Sequence, residues 1–108
     1  MSADTAPVHP GTILAKELKE TGISASDLAR RLLVPDNRIY HIILGRRSVT
    51  ADTALRLSKF FNTTPEYWLH LQASYELDVA RQTVDEALKD IQPYKPKVVQ
   101  AEMNLLTT

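Results

Sequence analysis

The chain has 108 residues, 44% hydrophobic and 24% charged, which fits one globular domain of ordinary size and composition. Thirteen basic residues balance thirteen acidic ones and cysteine is absent, so disulfide scaffolds, thiolate metal sites and charge-rich disordered tails are excluded, and a reducing cytoplasm is the expected compartment. No apolar run nears the roughly 20 residues that cross a bilayer, and the opening MSADTAPVHPG lacks the apolar stretch of a secretory signal.

Glycine and proline then divide the chain into helices. Pro10 to Thr21 reads as helix 1, with Leu14 and Leu18 on one face and Gly22 at the left-handed position after its end. Ser24 is placed to cap helix 2, with Asp27 reaching back as its capping-box partner and Ile23 stapling onto Leu28. That helix is expected to run to about Leu33 and to bury Leu28, Ala29 and Leu32. Pro35 disfavours helical geometry at Val34, so helix 3 starts afresh and runs to about Leu44, with Ile39 and Ile42 inside and Gly45 after it.

Thr50 is the expected cap of helix 4, with Val49 stapling toward Ala54, and Leu57 and Phe61 continuing the buried face. Thr64, Pro65 and Glu66 spell the start of helix 5. No glycine or proline interrupts Glu66 to Gln92, and Pro93 is taken as the stop. Trp68, Leu71 and Tyr75 complete the core, while Leu77, Ala80, Val84, Ala87 and Ile91 recur at spacings of 3, 4, 3 and 4, the seam of a helix seeking another. The seam either joins a second chain or folds back on its own domain. Only Lys97 to Met103 reads, weakly, as a strand. The expected fold is all-α: a flexible segment 1–8, a domain 9–92 and a loosely ordered tail 93–108.

Charge is unevenly spread along this frame. From Arg30 to Lys59 seven basic residues face two acidic ones, whereas from Phe60 to Gln92 two basic residues face six acidic ones. Such a division points to two surfaces with different partners.

Ser24 to Arg47 carries the function. Two short helices joined by a tight turn cross steeply only around a small residue, here Ala29, flanked by Leu28, Leu32, Val34, Ile39 and Ile42. This is helix-turn-helix spacing, which presents the second helix to a DNA major groove. On its outward face Asn37 suits adenine, Arg38 suits guanine, and Tyr40 and His41 stand within reach of bases. Asp36 would repel phosphates unless it accepts from a cytosine amine or caps that helix, and it is read as the cap. Phosphate contacts are expected from Ser24 and Ser26 at the start of helix 2, from Arg30, and from Arg46, Arg47 and Ser48 after helix 3. Leu69, Leu77, Ala80 and Val84 are the candidate dimer contacts. Leu33 stands at the turn, where a left-handed leucine costs roughly 1–2 kcal/mol.

Catalysis has no foothold. His9, His41 and His70 stand singly, no zinc-type histidine pair occurs, and neither a glycine-rich phosphate loop nor a nucleophile elbow is present. Neither metal nor cofactor is expected.

The stretches HPGTILAKELKETGISASDLARRL, GRRSVTADTALRLSKFF and NTTPEYWLHLQASYELDVA resemble the HigA/VapI-type antitoxins, a branch of the λ-repressor-like (XRE) helix-turn-helix proteins. The likeness covers about His9 to Ala80, with Leu33 and Leu44 departing from the glycine and asparagine common near those positions. It implies a five-helix domain that dimerises, represses its own operon and neutralises a RelE-like toxin, a small basic ribonuclease acting on mRNA. A repressor of the same family without a toxin is the alternative. For toxin binding, Glu17 and Glu20, or Asp85, Glu86 and Asp90, are the candidate surfaces beside plain solvated helix.

Overall fold

The computed structural model describes residues 6–96. Five helices follow in order: α1 Pro10–Thr21, α2 Ala25–Leu32, α3 Asp36–Ile43, α4 Ala51–Phe61 and α5 Pro65–Leu88. No strand occurs among the described residues. The weak strand pattern from Lys97 to Met103, most of the expected tail, and residues 1–5 of the N-terminal segment lie outside them.

Local chemistry sets most of the ends. Pro10 begins α1 behind His9, whose Nδ1 accepts the Gly11 amide at 2.9 Å. At the other end, Gly22 takes φ 76° and returns its amide to Leu18 at 2.9 Å. Ser24 caps α2 by accepting from the Asp27 amide at 3.0 Å, and Thr64 caps α5 by accepting from Tyr67 at 3.1 Å. Four expectations need correction. Asp27 does not reach back to the cap; its carboxylate instead pairs with Arg30, and with Arg31 at 3.1 Å. Asp36 does not cap α3, because Pro35 holds the cap position and Asp36 is already helical. Thr50 holds the cap position of α4 without a side-chain bond. Finally, α5 closes at Leu88, short of Gln92.

The core takes residues from every helix: Leu14 and Leu18, Leu28, Ala29 and Leu32, Ile39 and Ile42, Ala54 and Leu57, and Trp68, with Val49 from the α3–α4 loop. Full burial of each large side chain contributes about 1.5–3 kcal/mol. Trp68 is 1% exposed and donates its indole N–H to Thr63 Oγ1 at 3.0 Å. A single buried amide ties the loop to α5: Gln72 Oε1 accepts from the Val49 amide at 2.8 Å. Gly11 lies so close to the end of α3 that a β-carbon there would overlap the Ile42 carbonyl. Beyond Tyr75 the side chains of α5 are exposed, so its distal half does not fold back on the domain.

Leu33 ends α2 with φ 63° and ψ 43°, left-handed, and is 82% exposed. Asn62 does the same after α4 at φ 59°, where its short amide tolerates the conformation. Leucine has no such compensation. Leu33→Gly is therefore expected to stabilise the domain by about 0.5–1 kcal/mol, the relief of the left-handed backbone less the added freedom of the unfolded chain. Thermal unfolding followed by circular dichroism checks this, and a lower melting temperature in the variant would refute it.

Candidate nucleic-acid interface

The α2–turn–α3 unit is built around Ala29, which is fully buried where the helices cross. The turn is closed by the Leu33 amide to Arg30 O at 3.2 Å and the Val34 amide to Ala29 O at 3.0 Å. Ile39 and Ile42 anchor the inner side of α3 at 0% exposure. Asn37 and Tyr40 are thereby left outward, and His41 is half-buried beside them. Asn37 and Tyr40 line a shallow cleft of about 380 Å³ with Ala25, Ser26 and Asp36. The unit thus joins the start of α2 and the reading face of α3 in one surface.

Arg38 stands apart from its neighbours. Its guanidinium pairs with Asp52 at the start of α4, and Asp52 also accepts from Arg56 at 3.0 Å. Arg56 in turn donates to the carbonyls of Leu32 at 2.8 Å and Leu33 at 3.3 Å, closing the end of α2. These hydrogen bonds to Arg56 and Arg38 hold the Asp52 carboxyl below the usual carboxylate range. The relay links three helices. To reach a guanine, Arg38 must leave Asp52 or carry its partner along. Sequence spacing shows the Asp52–Arg56 pair, four apart on one helix, but not the third member.

The expected phosphate contacts differ in how they are held. Ser24 is occupied as a cap. The Ser26 hydroxyl donates its one proton to Asp36 Oδ2 at 2.8 Å, and with the Asp27 amide held by the Ser24 cap the Ala25 and Ser26 backbone N–H groups are left as the anion-binding donors of α2. Arg30 is exposed and paired with Asp27. Ser48 lies between Gln72 and Glu76 of α5, at 3.3 and 3.4 Å. Arg46 and Arg47 are exposed and make no ion pair among the described residues. They stand ready for an anion.

His9, read as a lone residue in the sequence, braces this loop. Besides capping α1 it sets its ring edge-on to Tyr75 at 4.9 Å and lies close to the Arg47 backbone. Burial lowers its pKa below 6.5, opposed by the nearby Arg47 backbone and the Glu76 charge. Capping also needs a bare Nδ1, so the folded state favours neutral imidazole. With the folded pKa depressed, the His9 contribution is complete above pH 6.5 and is lost as pH falls below 6.5 through the folded value. Melting temperature is expected to drop from pH 7.5 to about 5 in the parent and to change less in His9→Asn, whose amide oxygen keeps the cap without titrating. Equal slopes in both proteins would refute this.

The dimer candidates fall on one helix with unequal exposure. Leu69 is half-buried against the core, whereas Leu77, Ala80 and Val84 are exposed along distal α5. Among the described residues no group of histidine, aspartate or glutamate side chains is placed to hold a metal, and no helix is long and apolar enough to cross a membrane.

Such a unit, with a basic loop beside an outward polar helix, defines a helix-turn-helix protein of the DNA-binding type. A family model described as "Helix-turn-helix" matches residues 14–68. Virulence-associated protein I of Dichelobacter nodosus is 46% identical over 76 residues, 69% of this chain and 70% of that one. An addiction module antidote protein of the HigA family from Coxiella burnetii superposes with a TM-score of 0.80 at 49% identity, covering 83% of this chain and 100% of its own. The Pseudomonas aeruginosa antitoxin HigA, solved with the higBA promoter, superposes with a TM-score of 0.78 at 36% identity, covering 82% and 99%. The chain belongs to the HigA-type antitoxins of the helix-turn-helix (XRE) family, whose members are regulators rather than enzymes.

Proposed function

We propose that this antitoxin acts in the cytoplasm as a homodimer, binds the operator of its own toxin–antitoxin operon, and neutralises a RelE-like mRNA-cleaving toxin. Asn37, Tyr40 and His41 contact bases, Arg38 joins them on release from Asp52, and Arg46 and Arg47 with the α2 N-terminus hold phosphates. Leu77, Ala80 and Val84 of two copies form the seam that sets the reading helices about 34 Å apart on a palindrome. The observation that carries the reading is an outward polar α3 beside two exposed arginines, Arg46 and Arg47, that make no ion pair among the described residues. Relatedness to an antitoxin solved with promoter DNA supports it.

Binding of a labelled duplex from the upstream region, measured over a salt series, tests the DNA step. Arg46→Ala and Arg47→Ala are each expected to weaken binding to all duplexes and to flatten the salt dependence by about one unit of log–log slope. Affinity indifferent to salt would sink the interface. Co-purification with the product of the adjacent small open reading frame tests the toxin step. DNA binding without any such partner leaves a plain repressor.

A further inference from the structure

Asp36 places a carboxylate at the front of the reading helix, where phosphates repel it. As a first-turn acid it is favoured by the α3 dipole, a role the charge fills equally well while facing solvent. It is exposed, it makes no ion pair among the described residues, and it is not the cap of α3. Its one polar side-chain contact among the described residues is the Ser26 hydroxyl, which donates to Oδ2 at 2.8 Å from the neighbouring helix. Oδ1 has no partner among the described residues, and the side chain lines the cleft that also holds Asn37 and Tyr40.

A carboxylate only accepts, so in a major groove it is matched by an exocyclic amine, that of cytosine or adenine. Adenine sets its N7 lone pair beside the amine, which suits a side-chain amide such as Asn37 but repels a second carboxylate oxygen. Cytosine sets a C–H beside its amine. Guanine and thymine present acceptors at the same edge and are repelled. Building on the DNA-binding reading above, we propose that Asp36 is a specificity-determining residue: its carboxylate, oriented by Ser26, accepts from the 4-amino group of one cytosine in each half-site. Ser26 is the positioning residue. The charge that weakens non-specific binding sharpens discrimination.

The test selects a site from a randomised duplex pool with the full-length protein and then measures affinity as each cytosine in turn is replaced by 2-pyrimidinone, which lacks the 4-amino group. For the parent protein, one replacement per half-site is expected to cost about tenfold in affinity. Asp36→Ala is expected to be indifferent to that replacement and to bind random duplex more tightly than the parent. Ser26→Ala is expected to keep the same preference at reduced strength. Thermal melts of both variants report folding separately, and a merely structural role for Asp36 would move the melt without moving the base preference. Parent protein insensitive to removal of every cytosine amine, or Asp36→Ala retaining the full preference, overturns the assignment. Failure of the parent protein to select any site overturns the DNA-binding reading itself.

Discussion

Gly11→Ala is expected to unfold the domain or to lower its melting temperature by more than about 12 °C, although it adds one methyl group to a residue with good reason to prefer alanine. Glycine in a helix costs about 0.5–1 kcal/mol against alanine. Gly11 stands in the first turn of α1, where no left-handed φ requires it. What requires it is α3. A β-carbon would overlap the Ile42 carbonyl oxygen and lie 2.7 Å from its carbon and 3.0 Å from Ile43 Cα. These are backbone atoms, so no rotamer relieves the overlap, and α1 and α3 must separate. Overpacking of this kind costs about 3 kcal/mol or more, and each kcal/mol shifts the melting temperature of a domain this size by about 4–8 °C. Because the displaced element is the reading helix, affinity for operator DNA is expected to fall even in the population that stays folded. A variant melting within a few degrees of the parent would show that the helices tolerate the wider spacing.

That contact explains the His9-Pro10-Gly11 sequence as a unit. His9 caps the helix, Pro10 starts it with a ring pre-set to helical φ, and Gly11 lets it rest on the end of α3. Pro10 was legible in the sequence as a helix start, whereas His9 was read as a lone histidine and the approach of α3 to Gly11, which is not local, was not legible at all. Elsewhere the same division holds. The bounds of α1, the caps Ser24 and Thr64, the left-handed Gly22 and the buried Ala29 follow from residues within a few positions of one another, and the structure places them as read. Asp27 had a backbone amide and two arginines within reach, and the charge-assisted bonds to Arg30 and Arg31 won. Asp52 brings Arg38 to Arg56 across two helices, a contact set by packing rather than by spacing. The end of α5 lies earlier than Pro93 requires. Past Leu88 the amides of Lys89, Asp90 and Ile91 bond three residues back rather than four, so the α-helix tightens into turns before the proline is reached, and Asp90 is disfavoured at the negative end of the dipole.

The helix that closes at Leu88 is about 36 Å long by its 24 residues, yet only its first half touches the core. Leu77 is 52% exposed and Val84 40%, one heptad apart on the same stripe, with Ala80 between them. Isolated helices shorter than about 12–15 residues are marginal in water, and the unpacked part of α5, from Glu76 to Leu88, is of about that length, so the seam gains most from a second copy. Asp78 and Glu86 are paired with Arg81 and Lys89 of the same helix, so in a dimer the apolar stripe would be the decisive attraction. The double variant Leu77→Glu and Val84→Glu is accordingly expected to be monomeric in sedimentation, with the unfolding temperature of an isolated parent domain, since neither side chain belongs to the core. Its affinity for a palindromic operator is expected to fall by at least about 100-fold, because the second half-site is then no longer delivered at the high effective concentration of a linked module, while binding to a single half-site is retained. A variant that stays dimeric would move the interface to the proximal half of α5, toward Leu69. A parent protein that sediments as a monomer would remove the two-fold geometry on which the spacing of the reading helices depends.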